Sequence, residues 1–178
     1  MSNTIHAFDF IDPTATRSAA FCVVFGDEPF LKRLALRAIR RYVLGDVDAP
    51  FESFDGTTVQ WRDVYDELST AALFGGGRRL AVIDDAEDFV GQYRDKLESY
   101  AERTKSRNVL VLNVGTWASN TRLFKILDQH GLQIECRVPQ KPTSGKTKVL
   151  DEPRLLQWLT AWSQSHHQVT LSAKAARL

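Results

Sequence analysis

Gly26 and Lys32 stand six residues apart in "VVFGDEPFLKR". A phosphate-binding loop has glycine, four residues, glycine, lysine, then serine or threonine. These two residues occupy the first glycine and the lysine positions. Leu31 takes the place of the second glycine, and Arg33 that of the Ser/Thr. In such a loop, backbone N–H groups curl around phosphate, and the second glycine lets the chain approach closely. Leu31 puts a side chain where phosphate would sit. Arg33 has no hydroxyl to offer magnesium. Asp27 and Glu28 add negative charge, each opposing a phosphate charge at ~4 Å by about 1 kcal/mol in water. The residues Gly26, Asp27, Glu28, Leu31, Lys32 and Arg33 therefore read as a strand-to-helix turn with no nucleotide cofactor. The rival reading is an ATPase with a degenerate but working loop.

Other stretches offer less chemistry. "SGKT" (144–147) resembles the end of a phosphate loop, but Gln140 stands where the first glycine belongs, and no strand–loop–helix context surrounds it. "LAVIDD" (80–85) resembles an apolar strand ending in magnesium-holding acids, with Asp84 or Asp85 as the ligand. Without phosphate-binding partners it reads as a solvated strand end. His166 and His167 are adjacent, point in different directions, and lack further ligands, so no metal site is expected. No Ser/His/Asp or Cys/His arrangement stands out. Arg33, Arg37, Arg40 and Arg41 line one side of a helix. They read either as a solvated face, favoured near a helix C-terminus, or as contacts to nucleic-acid phosphates. Leu73 and Phe74 sit between a helix end and Gly75–Gly77 in "TAALFGGGRR". Such a pair is either a plug for a partner's pocket or part of the core beneath a turn.

The elements that must position these residues follow from periodicity. "AFCVVF" (20–25), "RRLAVIDDA" (78–86) and "NVLVLNV" (108–114) are continuous apolar runs, the pattern of strands buried on both faces. "PFESFDG" (50–56) is a short strand and "LQIECRVP" (132–139) a last one. Between them lie helical patterns. The first runs from Pro29 to Gly45, with Phe30, Leu31, Leu34, Ala35, Ala38, Ile39, Tyr42 and Val43 on one stripe. Others cover 61–74, 87–105 and 120–131, the last with Asn120 as its N-cap and Gly131 as its stop. Strands alternating with helices predict an α/β fold, a parallel sheet with helices on both faces. Residues 1–19 read as a polar lead-in holding one apolar patch, "HAFDF". Residues 140–153 read as a polar linker, and 153–167 as a helix with Leu155, Leu156, Leu159 and Trp162 inward.

The 178 residues suffice for one or two domains, and the formal net charge of +1 names no partner. Cys22 and Cys136, each inside an apolar run, predict reduced thiols and a cytoplasmic setting. No apolar run approaches the roughly 20 residues of a membrane span, so no membrane partner is expected.

Taken in order, "VVFGDEPFLKRLALRAI", "FDG", "LSTAALFGGGRRLAVIDDAEDF", "NVLVLNV" and "NTRLFKILDQHG" resemble the delta subunit of the bacterial DNA polymerase III clamp loader. The resemblance covers about residues 20–178. It implies a RecA/AAA+-like domain over 20–140 without a working P-loop, then a linker and the start of a small helical lid domain over 141–178. It also implies a C-terminal collar domain that joins the other clamp-loader subunits, which is absent from this sequence. No ATP hydrolysis of its own is implied, and "ECR" (135–137) supplies no arginine finger. Leu73 and Phe74 are implied to insert into the hydrophobic pocket of the sliding clamp (the beta subunit), holding one ring interface open so that the ring passes onto primed DNA. A AAA+ strand order would place the last strand beside the first, with Cys22 and Cys136 as near neighbours. A simple nucleic-acid-binding module using the Arg33–Arg41 stripe is the remaining alternative.

Overall fold

The computed structural model describes residues 3–12, 17–69, 77–142, 148–172 and 174–175. They fall into two compact units, Met1–Arg137 and Val138–Leu178. In the first unit the chain runs β1 (Thr4–His6), α1 (Ala7–Phe10), β2 (Phe21–Phe25), α2 (Pro29–Leu44), β3 (Glu52–Asp55), α3 (Trp61–Ser69), β4 (Leu80–Asp84), α4 (Glu87–Arg103), β5 (Val109–Val114), α5 (Arg122–His130) and β6 (Leu132–Glu135). The second holds β7 (Gln140–Pro142), β8 (Lys148–Leu150) and α6 (Glu152–His167).

The described strands of the first unit form one sheet in the order β1-β6-β2-β5-β4-β3, and every neighbouring pair is parallel. Position in the sheet accounts for composition. β2 lies between β5 and β6, and all five of its residues are buried. That is why it reads "FCVVF" with no polar alternation. β3 closes the far edge and is mostly exposed, so "ESFD" carries charge and hydroxyl. α2 covers the sheet with Leu31, Ala35, Ile39 and Val43, one residue per turn. Burying each of the larger three is worth about 1.5–3 kcal/mol. Its ends are set locally: Glu28 caps the N-terminus, Pro29 opens the first turn, and Gly45 closes the last at φ +83°.

The lead-in differs from its reading as a polar extension. Thr4–His6 pair with Gln133–Glu135 as the outermost strand, and Ala7, Phe8, Phe10 and Ile11 are buried. The apolar patch "HAFDF" is therefore core. Gln133, fully buried, ties the edge together: its Oε1 accepts from Trp117 Nε1 at 2.6 Å and its Nε2 donates to Thr4 Oγ1 at 3.3 Å. The cap of α5 is Thr121, whose Oγ1 accepts from Phe124 N at 3.2 Å, not Asn120.

In the second unit the predicted linker contains a hairpin. Gln140–Pro142 pair antiparallel with Lys148–Leu150. α6 is capped by Asp151 and carries Leu155, Leu156, Leu159 and Trp162 half-buried; Ser163 is its buried residue among those described. Trp158, Trp162 and His166 stack along one side of α6, with ring centroids 5.8 and 5.2 Å apart. Among the described residues no helix is long and apolar enough to cross a membrane.

β6 does lie beside β2, but the register separates the two cysteines. Cys22 is opposite Leu132, whereas Cys136 follows Glu135, the partner of Phe25. About four residues at 3.3 Å each put them roughly 13 Å apart, well beyond the ~7 Å limit of a disulfide. Both are buried and free. Burial pushes the Cys22 thiol up to about 11 and the Cys136 thiol up to about 12. An unfolded thiol ionises near 9.0, so above that pH the unfolded chain sheds protons that the folded one keeps. The stability these thiols contribute is full below pH 9 and is lost as pH climbs through 11 and 12, by up to about 1.4 kcal/mol per pH unit for each. Denaturant melts from pH 8 to 11 should show that slope, and Cys22→Ala with Cys136→Ala should flatten it. A mass two hydrogens light in unreduced protein would contradict the register.

Candidate functional site

The turn between β2 and α2 lies at the carboxyl edge of the sheet, where open α/β sheets bind ligands. Its backbone is pressed onto the neighbouring strands. Gly26 has φ +130°, and a Cβ there would stand 2.1 Å from the Cys136 carbonyl oxygen, so no other residue fits. Gly26 N donates to Val114 O at 3.3 Å, Glu28 N to Cys136 O at 3.1 Å, and Cys136 N returns a bond to Phe25 O at 2.6 Å. Glu28 Oε1 accepts from Phe30 N at 3.1 Å, and Lys32 N donates to Glu28 O at 3.1 Å.

The side chains are committed as well. Lys32 Nζ donates to Val114 O at 2.8 Å, the same carbonyl that Gly26 uses. Leu31 is 3% exposed and belongs to the core under α2. Arg33 is exposed, with its guanidinium 5.5 Å from the Phe30 ring centre. Asp27 is exposed and Glu28 serves as the helix cap. A phosphate-binding loop needs free N–H groups and a free lysine; here Gly26, Glu28, Phe30 and Lys32 give theirs to the protein. Sequence reasoning weighed the charge of Glu28 and missed its capping role. Its position directly before Pro29 is the signal for a helix start. The Val114 and Cys136 carbonyls had no local signal, because strand adjacency brings them there.

The acids at the end of β4 are similarly occupied. Asp84 accepts from Ser53 Oγ at 2.9 Å and from Asn113 Nδ2 at 2.8 Å, which lashes β3, β4 and β5 together. Asp85 is exposed in the left-handed region at φ +49°. The arginine stripe of α2 is mixed. Arg33, Arg37 and Arg41 are exposed. Arg40 is engaged: its Nε donates to Ala49 O at 2.7 Å and its guanidinium lies 4.9 Å from the Phe51 ring centre. Leu73 and Phe74 lie outside the described residues, as do 144–147.

A parallel sheet in which β6 lies beside β2 and a phosphate-loop-like turn follows β2, flanked by helices, is a RecA/AAA+-like α/β domain. The family model for DNA polymerase III, delta subunit, matches residues 23–137. The chain belongs to the DNA polymerase III delta subunit family. The Bacillus subtilis DNA clamp loader delta protein (YqeN) superposes with a TM-score of 0.67 at 17% identity, over 96% of this chain and 49% of that one. This chain thus spans about half the length of that protein. The Thermotoga maritima RuvB Holliday junction branch migration motor gives 0.45 at 15% identity, over 92% of this chain and 49% of that one. NtrX from Brucella abortus in complex with ATP gives 0.45 at 14% identity, over 92% and 40%. A search of curated proteins found no match.

Proposed function

We propose that this chain is the clamp-binding and clamp-opening part of a replication clamp loader and hydrolyses no ATP itself. The family match over 23–137 carries the reading, and the filled turn at Gly26–Arg33 supports the absence of catalysis. Leu73 and Phe74 anchor in a hydrophobic pocket of the sliding clamp, one as a branched knob and the other as a flat ring. The AAA+-like domain then bears against the ring's interface. Opening requires that the chain bind the open ring more tightly than the closed one, since only differential affinity shifts a conformational equilibrium. The other clamp-loader subunits join through a C-terminal collar, and primed DNA is met within the assembled complex.

The test is capture of the cognate sliding clamp by the immobilised chain, with calorimetry for ATP run in parallel. The expected result is clamp retention and no heat from ATP with magnesium. Failure to retain the clamp, or magnesium-dependent ATP binding in the micromolar range, counts against the proposal.

A further inference from the structure

The end of α3 and the start of β4 are both bonded to one turn, Ser106–Asn108, which leads into β5. The Asn108 side chain reaches both at once. Its Nδ2 donates to Leu68 O, one residue before the end of α3, at 2.8 Å. Its Oδ1 accepts from Arg79 N, directly before β4, at 2.9 Å. Each end of the amide meets the partner that it alone can serve, because a carbonyl only accepts and a backbone N–H only donates. An ion pair repeats the link: Arg79 Nη1 lies 2.6 Å from Glu67 Oε1, and both side chains are half-buried. The turn is preset for this reach. Ser106 N donates to Thr104 Oγ1 at 3.2 Å, and Asn108 N to Ser106 Oγ at 3.0 Å, the local side-chain bonds by which Ser and Thr shape turns. Arg78 Nε donates to Arg107 O at 2.9 Å, and Val109 N to Arg79 O at 2.9 Å. The backbone of Asn108 is thus fixed on both sides of its Cα.

The last carbonyls of a helix have no partner within it, and a helix end so placed frays. Asn108 gives Leu68 O a partner and ties it to the residue that opens the next strand. α3 and β4 are each anchored in the core already, α3 by Val64 and Leu68, β4 by Leu80, Ala81, Val82 and Ile83. What Asn108 adds is the link between the two ends. We infer that Asn108 is a positioning residue for clamp binding: by holding Leu68 and Arg79 together it fixes both ends of the connection that carries Leu73 and Phe74, an inference that rests on the function proposed above. A connection with fixed ends samples fewer conformations than one that hangs from a frayed helix. Order present before docking is not lost again on docking, so a pre-set connection binds more tightly with no added contact. Glu67 and Arg79 support the same link from the other side of the α3 end, through side chains in place of the shared amide.

The test compares Asn108→Ala with wild type in the whole chain, by clamp affinity and by amide hydrogen exchange. The Arg79 amide loses its acceptor and should exchange at least about 10-fold faster. The Kd for the cognate clamp should rise about 3- to 10-fold, the share of one or two ordering costs. Thr121→Ala is the reference. It removes the cap of α5, a loss of stability of similar size, and touches neither α3 nor β4, so its Kd should stay within about twofold of wild type. Asn108→Asp keeps an acceptor for Arg79 N and loses the donor to Leu68 O. It should weaken clamp binding in the same direction and serves if the alanine variant does not fold. An unchanged Kd in the Asn108 variants, with wild-type protein binding the clamp, overturns the positioning role and leaves the clamp reading standing. An equal rise in Kd for Thr121→Ala also overturns it, because stability alone would then explain the loss. Wild-type protein that does not bind the clamp overturns both readings.

Discussion

Replacing Leu73 and Phe74 together by alanine should weaken clamp binding by about two to three orders of magnitude and leave the unfolding midpoint nearly unchanged. Burying a leucine and a phenylalanine in a partner's pocket is worth roughly 3–6 kcal/mol before ordering costs. A net loss of about 2.7–4 kcal/mol is a factor of 100 to 1,000 in Kd. The rival placement, in the core, predicts the reverse. Large-to-alanine core truncations cost about 2–5 kcal/mol each, and at about 2–4 °C per kcal/mol for a chain of this size the double variant would melt roughly 8–40 °C lower. Sequence position favours the first outcome: the pair stands directly before Gly75–Gly77. α3 ends at exposed Ser69 after giving Val64 and Leu68 to the core, and the chain resumes at exposed Gly77 before β4 supplies Leu80, Ala81, Val82 and Ile83. Clamp affinity and thermal unfolding, measured on the same preparation, separate the two readings. A strongly destabilised variant, or a stable one with wild-type affinity, is incompatible with a clamp anchor at this place.

What could be read from the residues divides along local and non-local lines. Strands β2, β4 and β5 were legible because each is a short apolar run bounded by polar residues, and α2 because its apolar stripe begins at Pro29 and ends before Gly45. The lead-in strand was not. Three residues, Thr4–His6, give no period to detect, and their place depends on Gln133, which is distant in sequence. A buried glutamine is the reverse of a core signal, and its bonds to Trp117, Thr4 and Asp128 make it tolerable there. The β7–β8 hairpin was hidden by its lysines and Pro142, which read as loop. At the turn, the substitutions at Leu31 and Arg33 argued against nucleotide. The stronger reason, that Val114 and Cys136 carbonyls consume the amides and the lysine, required knowing that β5 and β6 flank β2.

That stronger reason makes the turn testable by repair. Leu31→Gly with Arg33→Thr completes the pattern of glycine, four residues, glycine, lysine, threonine over 26–33. If the pattern alone were missing, the variant would bind ATP. The geometry predicts that it does not bind at millimolar nucleotide. Gly26 N and Lys32 Nζ both remain bonded to Val114 O, and Glu28 N to Cys136 O, so phosphate would have to strip these donors from their carbonyls. The variant should instead be less stable by roughly 3–6 kcal/mol, from the loss of a buried leucine and the entropy of a glycine within α2. Arg33→Thr alone touches only an exposed side chain and should change stability by less than about 0.5 kcal/mol. Lys32→Ala adds an independent check. A lysine kept free for nucleotide can be lost without harm to the empty protein, whereas one bonded to a strand carbonyl cannot. About 1 kcal/mol should disappear with it, below the roughly 1.5–3 kcal/mol of a charged hydrogen bond because Lys32 is only half-buried. Calorimetry detecting magnesium-dependent ATP binding by the repaired turn, or a Lys32→Ala protein as stable as wild type, would mean that the turn is open in solution and that its bonds to β5 and β6 do not close it.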